Sequence, residues 1–302
     1  MSDAQTPNQY AMQDPRTQYP RPPFPRQPQE APGLASKMDP TPDHGEESYR
    51  GFGRMEGRKA LITGGDSGIG RAAAIAYARE GAAVAINYLE SEQSDAESLK
   101  ELIEGEGGTV HLFPGDLTDE SFCTQLIADA VEALGGLDVL INNAGKQVFQ
   151  ESIDDVTSEQ FDQTFKTNVY AMFWLSKAAV PHLPPGGSII NTTSIQGYKP
   201  SATLLDYATT KGAQIEFTKA LAKQLADKGI RVNAVAPGPF WTPLQPSGGQ
   251  PQDKVEEFGS QVPLGRPGQP AEIASTYVFL ATQEAGYITG EVFGVTGGDP
   301  TM

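Results

Sequence analysis

The chain has little cysteine, little histidine and little positive charge. Cys123 stands alone among 302 residues, so no intramolecular disulfide can form and the cysteine usage does not call for an oxidising compartment. The three histidines, His44, His111 and His182, are scattered along the chain, which leaves no spacing suited to a metal or a histidine-activated nucleophile. Lys and Arg number 22 against 38 Asp and Glu, giving a formal charge of -16. A surface of that sign repels phosphate backbones and anionic headgroups, so neither nucleic acid nor membrane is expected as a partner. No run approaches the roughly 20 apolar residues of a membrane helix. Nor does the chain open with a charged segment followed by an apolar run. A cytoplasmic location is the expectation by elimination.

Proline and glycine, by contrast, are abundant and unevenly placed. Ten of the 24 prolines fall in residues 1–50, as in Tyr19-Pro20-Arg21-Pro22-Pro23-Phe24-Pro25. So few aliphatics accompany them that residues 1–54 cannot bury a core of their own. They are expected to form a proline-rich extension, partly disordered and ordering against the main domain from Met38 onward. Residues 55–302 then make a single domain of ample length for a buried core.

In that domain, apolar runs of strand length alternate with stretches of helical period. Strands are expected at 59–63, 83–87, 109–113, 137–141, 188–192, 231–235 and 291–295. The intervening helices are expected at 69–80, 91–105, 120–134, 159–182, 206–226 and 271–281. Such alternation predicts an α/β fold of the Rossmann type, a doubly wound parallel sheet in three layers. The Pro- and Gly-rich stretch 237–268 interrupts the rhythm, and a segment of that length is read as a lid over a substrate.

Thr63-Gly64-Gly65-Asp66-Ser67-Gly68-Ile69-Gly70 lies between the first strand and the first helix. A phosphate-binding turn belongs there: glycine permits positive φ, and without a β-carbon the backbone N–H groups can approach a pyrophosphate. The helix N-terminus adds unpaired donors and the positive end of its dipole. In isolation three glycines after a strand would be an ordinary turn.

The spacing Thr-Gly-x-x-x-Gly-x-Gly resembles that of the short-chain dehydrogenase/reductase family, and the resemblance runs over about residues 57–300. Further motifs appear in the family's order. Asn142-Asn143-Ala144-Gly145 follows the fourth strand, and the resemblance places Asn143, Ala144 and Gly145 beside the cofactor ribose. Asp116-Leu117 follows the third strand, where the family's Asp accepts from the adenine amino group. Pro237-Gly238, with Thr242 beyond, resembles the segment that holds the nicotinamide carboxamide. The proline-rich lead is similar to that of a bacterial subgroup of mostly uncharacterised oxidoreductases. Without these neighbours Asp116 would read equally well as a turn residue.

The second strand ends Asn87-Tyr88-Leu89-Glu90, so Tyr88 and Leu89 are expected to line the adenosine ribose. Relatives that take NADP place Arg or Lys just after this strand or beside the second glycine, whereas this chain has Leu89, Glu90, Asp66 and Ser67 there. A 2′-phosphate would meet carboxylate with no fork to neutralise it, so NAD is favoured, with NADP as the alternative. The Asp that usually chelates both ribose hydroxyls is missing too.

Tyr207-Ala208-Thr209-Thr210-Lys211 opens a predicted helix, and the i, i+4 spacing sets phenol and ammonium on one face. A nearby cation favours phenolate, so Lys211 is expected to bring Tyr207 toward working pH as acid and base. Ser194, just after the fifth strand, is placed to hold a substrate oxygen. By resemblance, Lys211 also holds the nicotinamide ribose, and Asn168 holds a water that links the lysine to solvent. On its own a Tyr-x-x-x-Lys pair is an ordinary solvated helix face. Phe240 and Trp241 are read as an apolar wall over the substrate, against the alternative of plain packing.

The expected function is oxidoreduction of a secondary alcohol or carbonyl, with nicotinamide carrying the hydride. An epimerase or dehydratase of an extended relative would carry a different glycine spacing and a larger C-terminal part. A dinucleotide-binding sensor or scaffold without turnover is the alternative from another class, and the intact set of Asn168, Ser194, Tyr207 and Lys211 argues against it. The resemblance also implies a homotetramer, whose contacts would use Ala171-Met172-Phe173-Trp174-Leu175 and Tyr287-Ile288-Thr289-Gly290.

Overall fold

Strands form where apolar residues run unbroken, because a parallel sheet is buried on both faces. The computed structural model, which describes residues 9–301, has seven: β1 (Lys59–Thr63), β2 (Ala83–Tyr88), β3 (Val110–Pro114), β4 (Val139–Asn142), β5 (Ser188–Thr192), β6 (Arg231–Pro237) and β7 (Val292–Val295). They make one sheet in the order β3-β2-β1-β4-β5-β6-β7, and each adjacent pair is parallel. The order reverses between β1 and β4, so a crevice opens at the carboxyl ends of the strands there.

Successive side chains along a strand point to opposite faces, and the two cores divide accordingly. Ala60, Ile62, Val84, Ile86, Val139 and Ile141 face α1 (Gly68–Arg79), α2 (Gln93–Gly105) and α8 (Pro270–Ala281). Their neighbours Leu61, Ala85, Leu140, Ile189 and Val232 face α3 (Glu120–Leu134), α5 (Ala171–Ala179) and the end of α6 (Leu205–Leu225). Together these are the three layers expected from the alternation. Helix α3 shows the local signals plainly: Asp119 caps it by accepting from Ser121 N, and Gly135 ends it at φ 69°. No helix among the described residues is long and apolar enough to cross a membrane.

Two expectations change. The single long helix over 159–182 is instead α4 (Ser158–Phe165), a π turn (Lys166–Tyr170), α5 and a short 3-10 turn (Val180–His182). Hydrophobic period alone does not register the one-residue insertion of a π turn, a feature often found at functional sites. The stretch 237–268 is also less irregular than its composition suggested, because it holds a π turn (Gln245–Gly249) and the short helix α7 (Gln252–Glu256).

The extension lies against the domain well before Met38. Arg266 donates to Pro15 O at 2.7 Å, Phe24 N to Glu256 O at 2.8 Å, and Ser247 Oγ to Pro32 O at 2.9 Å. Phe24, Met38, Trp241 and Val255 form a small third core. Donors come from both sides: Arg266 and Ser247 from the domain, and the Phe24 N–H from the extension. Nearer β1, Arg54 and Tyr49 hold the buried Glu80 at 2.6 and 2.7 Å. Burial works to raise that carboxyl, yet these hydrogen bonds outweigh it and hold it at about 2.

Candidate active site

The turn from β1 into α1 is tight. Gly68 has φ 51°, where other residues are strained, and a β-carbon on Gly70 would stand 1.9 Å from Gly64 O. The loop is braced from the crevice side: Asn143 Nδ2 donates to Thr63 O and Gly64 O at 3.1 and 3.0 Å. The N–H of Ala144 reaches Thr63 Oγ1 at 3.1 Å. Thr242 of the lid closes over the loop, with its Cγ2 3.1 Å from where a Gly68 β-carbon would lie. Ile69 follows Gly68 in the first turn of α1, and Gly238 N returns to β7 through Val295 O. Glycine backbone and a helix N-terminus thus face the crevice at the switch point, an arrangement that fits a pyrophosphate.

On the adenosine side, Asp66 is buried and its Oδ2 has no hydrogen-bond partner. Burial, with the charge of Asp95 nearby, pushes its carboxyl up to about 7. Glu92, which accepts from Leu89 N at 2.9 Å, is likewise pushed up to about 8 by burial and by the charge of Asp66. Arg71 is the cation among them, donating to Asp95 O at 2.9 Å and to Glu46 of the extension at 3.0 Å. Asp95 itself accepts from Ala35 N at 2.6 Å. Tyr88 is turned into the core and donates to Gln93, while Leu89 is about one-third exposed at 37%. Asp116 is exposed and accepts from Thr118 N at 2.9 Å as a turn residue does; Leu117 packs beneath it.

Glu92, Asp95 and Arg71 were not singled out from the sequence. Arg71 offered the one usable signal, a lone charge beginning the run Ala72, Ala73, Ala74 on a helix whose surroundings had to be apolar.

Asn168, Ser194, Tyr207 and Lys211 are brought together beside the ends of β4 and β5, and all four are buried. Lys211 Nζ donates to Thr192 O at 2.8 Å and lies 5.3 Å from the centre of the Tyr207 ring. A β-carbon on Gly145 would be 3.8 Å from both Lys211 Nζ and Asn168 Oδ1. Asn168 sits in the π turn and clamps Lys146 from both sides, accepting from its N–H at 2.7 Å and donating to its carbonyl at 2.9 Å. It also donates to Thr210 Oγ1 at 2.9 Å.

Burial is the largest influence on both Tyr207 and Lys211. Burial pushes the phenol up to about 12, opposed by a hydrogen bond with Ser194. Burial also brings Lys211 down to about 7. Desolvation thus disfavours the charged form of each group.

Trp241 and Phe240 also depart from expectation. Trp241 is 0% exposed, stacked on Phe24 with ring centres 4.2 Å apart, and its Nε1 donates to Pro40 O at 2.7 Å. Phe240 joins the core over α8 and packs on Gly268. Both are packing residues rather than a substrate wall: the extension covers Trp241, and Phe240 is taken up by the core over α8.

Comparison with known proteins agrees with this architecture. A family model described as enoyl-(acyl carrier protein) reductase matches residues 64–299. An uncharacterised oxidoreductase of Bacillus subtilis, YhxD, is 61% identical over 281 residues, which is 92% of this chain and 94% of the relative. Glucose and ribitol dehydrogenase of Daucus carota is 44% identical over 281 residues, covering 91% of this chain and 96% of the relative. Among solved structures, a short-chain dehydrogenase from Burkholderia cenocepacia in complex with NADP superposes with a TM-score of 0.76 at 35% identity, covering 81% of this chain and 98% of that one. The chain belongs to the short-chain dehydrogenase/reductase family. It is an oxidoreductase with a dinucleotide-binding Rossmann-type fold.

Proposed function

We propose that the protein interconverts a secondary alcohol and the corresponding carbonyl, with Tyr207 as the acid and base. The observation that carries this reading is the convergence of buried Tyr207, Lys211, Ser194 and Asn168 beside the glycine loop. When bound, the nicotinamide supplies or accepts the hydride. Gly64, Ser67, Gly68, Ile69 and Gly70 would hold its pyrophosphate. Tyr88, Leu89, Asp116 and Leu117 would bound the adenosine. Asn143, Ala144, Gly145 and Lys211 would flank the nicotinamide ribose, and Pro237, Gly238 and Thr242 the carboxamide.

In reduction, Tyr207 Oη gives its proton to the carbonyl oxygen while Ser194 Oγ orients that oxygen. A phenol held near 12 stays protonated at neutral pH, which suits this direction. In oxidation the alcohol proton returns to Tyr207.

NAD is favoured over NADP, because Leu89 and Glu90 after β2 offer a 2′-phosphate no cationic fork, and the nearby Arg71 is buried and engaged by Glu46 and Asp95 O. NADP is the second reading, favoured by the Burkholderia cenocepacia complex. A polyol or sugar is the first substrate class to try, since a carrot relative is a glucose and ribitol dehydrogenase. Association into a homotetramer is part of the proposal and is supported by the exposed Tyr170, Phe173 and Tyr287.

The test is turnover of ribitol, glucose and a panel of aldehydes and ketones with each cofactor, by absorbance of the reduced nicotinamide. Cofactor binding without turnover of any of them would favour the sensor reading.

A further inference from the structure

Beside Asn168, residues at the ends of β1 and β4, in the π turn, and on α5 and α6 line a small cavity. Asn142, Thr167, Asn168, Met172 and Gln214 are among its walls, and about 10 Å³ is open to the centre of a water molecule. That is roughly the room one water needs. Two buried side-chain oxygens have no hydrogen-bond partner and belong to residues of this wall: Asn142 Oδ1 and Gln214 Oε1.

The orientation of both amides is fixed by a chain of donors, so neither oxygen can be exchanged for its NH2 group. Gln214 Nε2 donates to the main-chain carbonyl of Asn168 at 2.5 Å; turned over, its oxygen would face another oxygen. At the far end Thr218 Oγ1 donates its proton to Gln214 O at 2.8 Å, which leaves that hydroxyl able only to accept. Asn191 Nδ2 therefore donates to Thr218 Oγ1 at 2.9 Å, and Asn191 Oδ1 must accept from Asn142 Nδ2 at 2.8 Å. Asn142 Oδ1 is left pointing elsewhere. A bare buried acceptor is costly because it has given up water for nothing, and two of them beside one polar cavity call for a ligand with two donors.

We propose that this cavity binds a single ordered water that donates one O–H to Asn142 Oδ1 and the other to Gln214 Oε1, and that Gln214 is a positioning residue for Asn168. A π turn shifts the helical ladder and releases carbonyls from it, and Gln214 takes up the carbonyl of Asn168. Held there, Asn168 clamps Lys146 and Thr210, the neighbours of Gly145 and Lys211. The water anchors Gln214 from its other end. Held by Asn142 and Gln214, this water differs in its partners from one that would join Lys211 to solvent. The positioning half of the proposal rests on the reading of Lys211 and Gly145 as the ribose cradle; the water half does not.

Two measurements decide it. A crystal structure of the full unliganded chain at a resolution that shows ordered water is expected to have one density peak within hydrogen-bond reach of both oxygens. An empty cavity, or a protein donor on either oxygen, overturns the water site. For the positioning role, NADH is titrated by fluorescence into wild type, Gln214→Leu and Leu175→Ala, the last removing an apolar wall of the same cavity. Gln214→Leu is expected to weaken NADH roughly tenfold, the range reported for residues that couple to a site without touching the ligand. Leu175→Ala should lower the melting temperature with NADH binding little changed. Equal weakening in both variants, or none in Gln214→Leu, overturns the positioning role. A wild type that does not bind NADH would refute the ribose cradle and with it the positioning role, while the crystallographic result still decides the water. If Gln214→Leu does not fold, Gln214→Met replaces it in the same titration.

Discussion

Lys211 Nζ stands 5.3 Å from the centre of the Tyr207 ring and is turned to the carbonyl of Thr192 at 2.8 Å. Phenol and amine share one face of α6, as their spacing requires, yet each is governed by its burial more than by the other. Replacing Tyr207 by Phe removes the proton carrier and leaves the aromatic packing. Turnover of any substrate found should fall by about 10²–10⁴-fold, the usual worth of a positioned acid or base. NADH binding and melting temperature should stay near wild type. Undiminished turnover would refute the role of Tyr207.

Lys211 is held by burial at about 7, below its ordinary 10.5. Between those values the unfolded chain binds a proton that the folded chain lacks. The contribution of Lys211 to stability is therefore complete above about pH 10.5 and is lost as pH falls through about 7. The unliganded Lys211→Met variant should gain on the wild type in denaturant midpoint as pH is lowered over this window. A constant difference across it would contradict the assignment.

Asp66 works in the opposite sense. Burial lifts its carboxyl from 3.8 to about 7, so its contribution is complete below about pH 3.8 and is lost as pH rises through about 7. The Asp66→Asn variant should match the wild type in acid and exceed it by a few kcal/mol above neutrality, read by chemical denaturation at a series of pH values.

The lack of a cation just after β2 bears on cofactor choice. Leu89 is partly exposed after β2, so Leu89→Arg places a guanidinium fork where a 2′-phosphate would lie. The ratio of NADP to NAD affinity should rise by roughly tenfold or more, the worth of one charge-assisted contact. An unchanged ratio would mean that the 2′ position is read elsewhere.

Trp241 ties the lid to the extension through Phe24 and Pro40. Truncation of a fully buried aromatic costs about 3–5 kcal/mol, so Trp241→Ala should melt earlier. Trypsin should then cleave the extension at Arg26 or Lys37 faster than in the wild type. Unchanged cleavage would show that the extension is held without this core.

Much of this molecule is written locally. The alternation of Lys59–Thr63, Gly68–Arg79 and Ala83–Tyr88 is legible because strand and helix periods depend on neighbours a few residues apart. The glycine loop and the order of Asn143, Ser194, Tyr207 and Lys211 are legible for the same reason, and they identify the family. Other features depend on segments remote in sequence. Trp241 reads as a pocket wall until Phe24 covers it, and nothing near Arg71 in the sequence announces Glu46 and Asp95 as its partners. The helical period over 159–182 carries no sign of the π turn at Asn168, nor of Gln214 reaching its carbonyl. The titration of Tyr207 and Lys211 likewise follows from how completely distant parts of the chain exclude water, a quantity that folding sets and sequence spacing does not contain.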